Sequence, residues 1–90
     1  MDTVKVKYEN FKKFVTETAP KDNEHVKLLN EVSIGVFLEK IRQFKDRSEN
    51  DIVQDVLNII KMDKSQFNPD DINKFLRYIQ YFRSVVIAMN

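Results

Sequence analysis

Scarcity of chain breakers is what most limits the fold. The 90 residues include one glycine, Gly35, and two prolines, Pro20 and Pro69. An all-β domain needs many turn residues between short strands, and this chain cannot supply them. Large apolar residues recur at helical spacing through the stretches between breakers. The pattern predicts an all-α fold, a small compact bundle of four helices, or five if one segment breaks. Hydrophobic residues make up 42% and charged residues 32%, too apolar for a disordered chain. The length suits a single helical domain over residues 1–90, with a thin core.

Four segments carry the pattern. Over Thr3–Thr18, Val4, Tyr8, Phe11 and Val15 share one helical face and Phe14 widens it. The rival is a strand over Thr3–Tyr8, where Val4, Val6 and Tyr8 alternate with lysines, but it would have no partner. Ala19-Pro20 ends this helix. The second segment, about Asp22 to Asp46, starts with Asp22 or Asn23 as a cap. Its apolar stripe then changes face. Leu28, Leu29, Val32 and Val36 lie opposite Ile34, Phe37, Ile41 and Phe44, with Ser33 and Gly35 at the switch. That pattern fits either two helices broken near Gly35 or one long kinked helix. The third segment opens at Ser48 with Asp51 three residues later, like a capping box, and should end near Met62. The fourth has the clearest start. Asn68 can cap, Pro69 suits the first helical position, Asp70 and Asp71 face the positive helix end, and Phe67 and Ile72 are spaced as a hydrophobic staple. It should run to Ala88.

Several chemistries lack their parts. Cysteine is absent, which removes disulfides, thiolate metal sites and cysteine nucleophiles and suits a cytoplasmic protein. No apolar run approaches the length of a membrane span, and the N-terminus lacks the apolar core of a secretory signal. His25 is the lone histidine, without the ligand set a zinc ion needs. One glycine cannot build a phosphate-cradling loop. Asp63–Lys74 fails as a calcium loop, with Phe67, Asn68 and Lys74 at ligand or glycine positions. A helix–turn–helix over residues 49–88 would have a turn of six residues and would present Asp70 and Asp71 to phosphates. Neither cofactor, metal, membrane nor small-molecule substrate is expected, and the chain reads as non-enzymatic.

Binding is what remains. In the C-terminal helix Ile72, Phe75, Leu76, Ile79 and Val86 form the centre of an apolar arc. Tyr78, Phe82, Val85 and Met89 extend it to one side and Ile87 to the other, over roughly 200°. Either this helix is central to the bundle, or part of the arc faces a partner. Arg83 lies inside the arc, where it can snorkel or anchor an interface. The expected protein interface is therefore Tyr78, Tyr81, Phe82, Arg83, Val85 and Met89. It would serve an adaptor, inhibitor or regulatory subunit that binds a protein or a second copy of itself. The alternative is nucleic-acid contact through Lys5, Lys7, Lys12 and Lys13, since residues 1–21 carry five lysines against three acids while the whole chain is only +1.

Overall fold

The computed structural model describes residues 2–89. Among these residues there are five α-helices and no strand: α1 (Asp2–Thr18), α2 (Val26–Glu31), α3 (Ile34–Phe44), α4 (Glu49–Leu57) and α5 (Pro69–Ala88). Short 3-10 turns at Asn58–Ile60 and Lys64–Gln66 link α4 to α5. No described helix is long and apolar enough to cross a membrane.

Local chemistry starts the later helices where the sequence predicts. The side chains of Ser48 and Asn68 accept from the backbone N–H groups of Asp51 (3.2 Å) and Asp71 (2.8 Å). Each satisfies one of the donors a helix start leaves unpaired. Asp63 caps the second 3-10 turn. Its carboxylate accepts from Ser65, a contact that holds it below the usual carboxylate range, and Gln66 reaches back to the Asp63 N–H.

Two boundaries differ from expectation, and the break in the second segment falls at the Ser33 side of the expected switch. The second segment does not start at Asp22 or Asn23. Asn23 Oδ1 instead accepts from His25 N–H at 2.8 Å and closes a turn, so α2 begins at Val26 and is six residues long. The segment does break into two helices, but at Val32-Ser33, two residues before Gly35. Val32 is extended and Ser33 Oγ caps α3 by accepting from Val36 N–H at 3.3 Å. A capping hydroxyl starts a helix more firmly than a glycine can stop one. The third helix leaves α geometry at Leu57, short of Met62.

That last ending is a Schellman motif. Met62 N–H bonds Leu57 O at 3.1 Å and Lys61 N–H bonds Asn58 O at 3.2 Å, with Leu57 and Met62 both buried. Lys61 stands at the left-handed position (φ 58°) that glycine usually fills. Gln54 braces the turn: its Nε2 donates to Met62 O at 3.0 Å and its Oε1 accepts from Lys64 N–H at 3.1 Å.

The core is a web of rings between α1, α3 and α5. Phe82 lies 5.1 Å from Phe37, 5.8 Å from Phe11 and 6.2 Å from Tyr8, centroid to centroid, mostly edge to face. Phe11 also meets Phe75 at 5.2 Å. Ile52, Val53, Val56 and Leu57 bring α4 into the same cluster, and Leu29 brings α2. Among the described residues no polar or charged residue is fully buried. Tyr8 is the fully buried tyrosine of the web, and its hydroxyl donates to Val32 O at 2.6 Å. That bond satisfies the carbonyl exposed by the α2–α3 break. Burial pushes the Tyr8 phenol up to about 12, with a smaller contribution from Glu9.

Two predictions follow from these contacts. Tyr8 in the unfolded chain gives up its proton near pH 10, whereas the folded state holds it to about 12. Its contribution is complete below pH 10 and is lost as pH rises toward 12. Chemical denaturation across that window should show roughly 2–3 kcal/mol of stability disappearing. Tyr8→Phe should flatten the alkaline loss and cost about 1 kcal/mol at neutral pH. Lys61→Gly should raise stability by about 0.5–1 kcal/mol in the same assay, because glycine carries no penalty for the left-handed conformation.

Candidate partner-binding flank of the C-terminal helix

Helix α5 is the central helix. It packs against α1, α3 and α4, which accounts for most of the width of its apolar arc. Phe75, Ile79, Phe82 and Val86 point into the core. Phe82, expected at the interface, is 0% exposed and is removed from the candidate set, because no partner can reach a ring enclosed by Tyr8, Phe11 and Phe37.

Arg83 also has an internal role. Its Nε–H donates to Lys45 O at 2.8 Å, capping the carbonyl end of α3. It lies on the side of α5 away from the other candidates, 100° per residue placing Ile72, Arg83 and Leu76 together. Arg83 thus ties α5 to the end of α3, apart from the flank that carries the other candidates.

The other four candidates fall together. Tyr78, Tyr81, Val85 and Met89 form a strip along one flank of α5, the first three half-buried and Met89 53% exposed. Helix α1 runs beside this strip in the opposite direction, as the pairs Lys7–Tyr81, Phe11–Tyr78 and Phe14–Lys74 show. Two clefts open along it. In the first, about 250 Å³, Tyr78 and Tyr81 are joined by Lys7, Lys74 and Arg77. Tyr78 stacks on Phe14 at 5.7 Å with 29° between the rings, Lys7 Nζ lies 5.3 Å from the Tyr81 centroid, and Lys74 Nζ lies 5.0 Å from Phe14. These are cation–π distances. Three cations and no carboxylate line this cleft.

The second cleft, about 330 Å³, is walled by Val4, Ile34, Leu38, Val85 and Met89, with Gly35 between them and Lys5 at its rim. Val36, next to Gly35, is 51% exposed. Gly35 is not needed for the fold. Its φ is not positive, and a Cβ built on it would meet nothing within 4 Å. A glycine inside a helix costs roughly 0.5–1 kcal/mol relative to alanine. Here its missing side chain leaves the α3 backbone bare in the wall of an apolar groove.

The four N-terminal lysines do not converge. Lys7 joins the aromatic cleft and Lys5 the apolar one. Lys12 lies over the Tyr8 ring at 4.6 Å and pairs with Glu9 at 3.2 Å. Lys13 is exposed, about 120° around the helix from Lys7. The residues that complete the basic cleft, Lys74 and Arg77, were not among those expected. Their signal was in the sequence, since each precedes one of the tyrosines by four residues, one helical turn. His25 lies exposed beside a shallow polar cleft with Asp22, Glu24 and Lys61.

Comparison with protein-family models, with curated proteins and with solved structures gives no match for this chain.

The internal roles of Phe82 and Arg83 give a direct prediction. Phe82→Ala should cost about 3–5 kcal/mol in equilibrium unfolding, as a large core truncation does. Arg83→Met, which keeps an apolar stem but removes the donor to Lys45 O, should cost about 1–2 kcal/mol.

Proposed function

We propose that the chain is a small non-enzymatic protein-interaction module, an adaptor, inhibitor or regulatory subunit, that binds its partner along the α5 flank. The observation that carries this reading is the strip Tyr78, Tyr81, Val85 and Met89, which stays accessible on one flank while Phe75, Ile79, Phe82 and Val86 are packed in the core. Two clefts deepen the strip, and it combines rings, aliphatic side chains and an arginine. Buried interface anchors are drawn from such residues, tyrosine and arginine above all.

The scatter of the lysines favours this reading over nucleic-acid binding through α1. A polyanion needs cations along one path, and Lys5, Lys7, Lys12 and Lys13 face three directions. The double variant Tyr81→Ala/Met89→Asp removes one anchor from each cleft and replaces no fully buried residue. It should keep its helical circular dichroism and its melting temperature within a few degrees. Partner capture from a nuclease-treated native lysate, compared with wild type, should fall by about thirty-fold or more in apparent affinity, as loss of a hot spot of about 2 kcal/mol does. A variant that captures the same proteins as wild type would sink the proposal.

A further inference from the structure

The chemistry of the flank also specifies its occupant. We infer that the α5 flank receives an acidic, amphipathic helical segment of a partner protein, with apolar side chains in the groove beside Gly35 and carboxylates over Lys7, Lys74 and Arg77. This rests on the reading of the flank as a protein-binding surface.

Charge complementarity supports it first. Lys7, Lys74 and Arg77 line one cleft, so three cations converge at the tyrosine end of the strip. Among the described residues no carboxylate lines either cleft, and the described ion pairs use other residues. The chain as a whole is only +1, so this concentration is local. An acidic segment gains attraction there. A second copy of the chain, docked by the same face, would bring these cations against one another, and like-charge juxtaposition disfavours that pairing.

The apolar groove argues for protein over nucleic acid. A single strand would find stacking surfaces at Tyr78 and Tyr81, but Phe14 already lies on the Tyr78 ring and Lys7 over Tyr81. It would have no use for a groove of Val4, Ile34, Leu38, Val85 and Met89. An amphipathic helix uses both features.

Spacing sets the register. The midpoints of the Tyr78–Tyr81 and Val85–Met89 pairs are about 11 Å apart along α5 at 1.5 Å per residue. On an antiparallel or parallel partner helix that separation is about two turns, so acids should stand seven or eight residues from the apolar anchors. Gly35 provides the close approach, and a bulky residue there, such as leucine, should obstruct the groove.

The test uses the full chain and a synthetic helical peptide carrying two leucines one turn apart and a glutamate cluster about two turns away. Its twin carries lysines in place of the glutamates, and oligothymidylate is the nucleic-acid probe. Binding is read by fluorescence anisotropy, and the footprint by amide chemical shifts. The glutamate peptide should bind saturably, shift Gly35, Lys74, Arg77 and Val85, and weaken with salt. The lysine twin should bind at least about tenfold more weakly. Lys74→Glu/Arg77→Glu and Gly35→Leu should each weaken the glutamate peptide about tenfold while keeping wild-type circular dichroism. Lys21→Glu/Lys27→Glu, the same charge change on exposed residues elsewhere, should leave the affinity within about twofold.

Equal affinity for the two peptides, a footprint elsewhere, stronger binding of oligothymidylate, or an equal loss in the Lys21→Glu/Lys27→Glu control would overturn the inference. Native partner capture separates this failure from failure of the flank itself. Capture lost in Tyr81→Ala/Met89→Asp but kept in Lys74→Glu/Arg77→Glu leaves the flank as the interface and rejects an acidic occupant. Capture unchanged in both variants rejects both.

Discussion

The Phe82 ring is the contact on which the rest of the structure depends. It meets Tyr8 and Phe11 of α1 and Phe37 of α3 at 5.1 to 6.2 Å, so one side chain of α5 holds two other helices. Aromatic pairs in offset and edge-on arrangements add to the area they bury. A chain this short has few core residues with which to offset the entropy of ordering. Concentrating five rings between three helices is how it fills a core without tryptophan or cysteine.

This use of α5 also determines what is left for binding. A helix packed on three neighbours has most of its apolar arc covered, and its breadth alone does not mark an interface. What distinguishes the accessible flank is composition. Tyr78 and Tyr81 stand beside Lys7, Lys74 and Arg77, and Val85 and Met89 border an apolar groove with an unneeded glycine in its wall. Folding draws on one face of α5, and the binding we propose draws on the face beside it. Substitutions at Phe82 report on the first, substitutions at Tyr81 or Met89 on the second.

Part of this division was legible in the residues. Tyr78, Tyr81, Val85 and Met89 share a flank by simple helical geometry, and the pairs Lys74–Tyr78 and Arg77–Tyr81 could have been found the same way. Phe82 and Arg83 could not be sorted from their spacing. Phe82 falls at the edge of the arc, and only the position of α1 and α3 turns that edge inward. Arg83 lies within the arc because its partner, Lys45 O, is 38 residues away on another helix. The groove at Gly35 joins residues from α1, α3 and α5, and no local window contains it.

The same contrast runs through the helix ends. Helix starts were written locally: Ser33, Ser48, Asp63 and Asn68 each cap backbone N–H groups two or three residues ahead. Several carbonyl ends were closed from far off. Tyr8 reaches Val32 O across 24 residues, Asn23 reaches Ile60 O across 37, and Arg83 reaches Lys45 O across 38. A side-chain oxygen can accept from an N–H in its own first turn, so sequence determines where such helices begin. A carbonyl at a helix end points onward, away from its own side chains. In these three cases its donor is whichever distant group the packing delivers. The sequence by itself therefore determined an all-α chain and most of its helix starts, while tertiary structure decided which distant donors close the carbonyl ends, which rings are core, and which flank of α5 stays accessible.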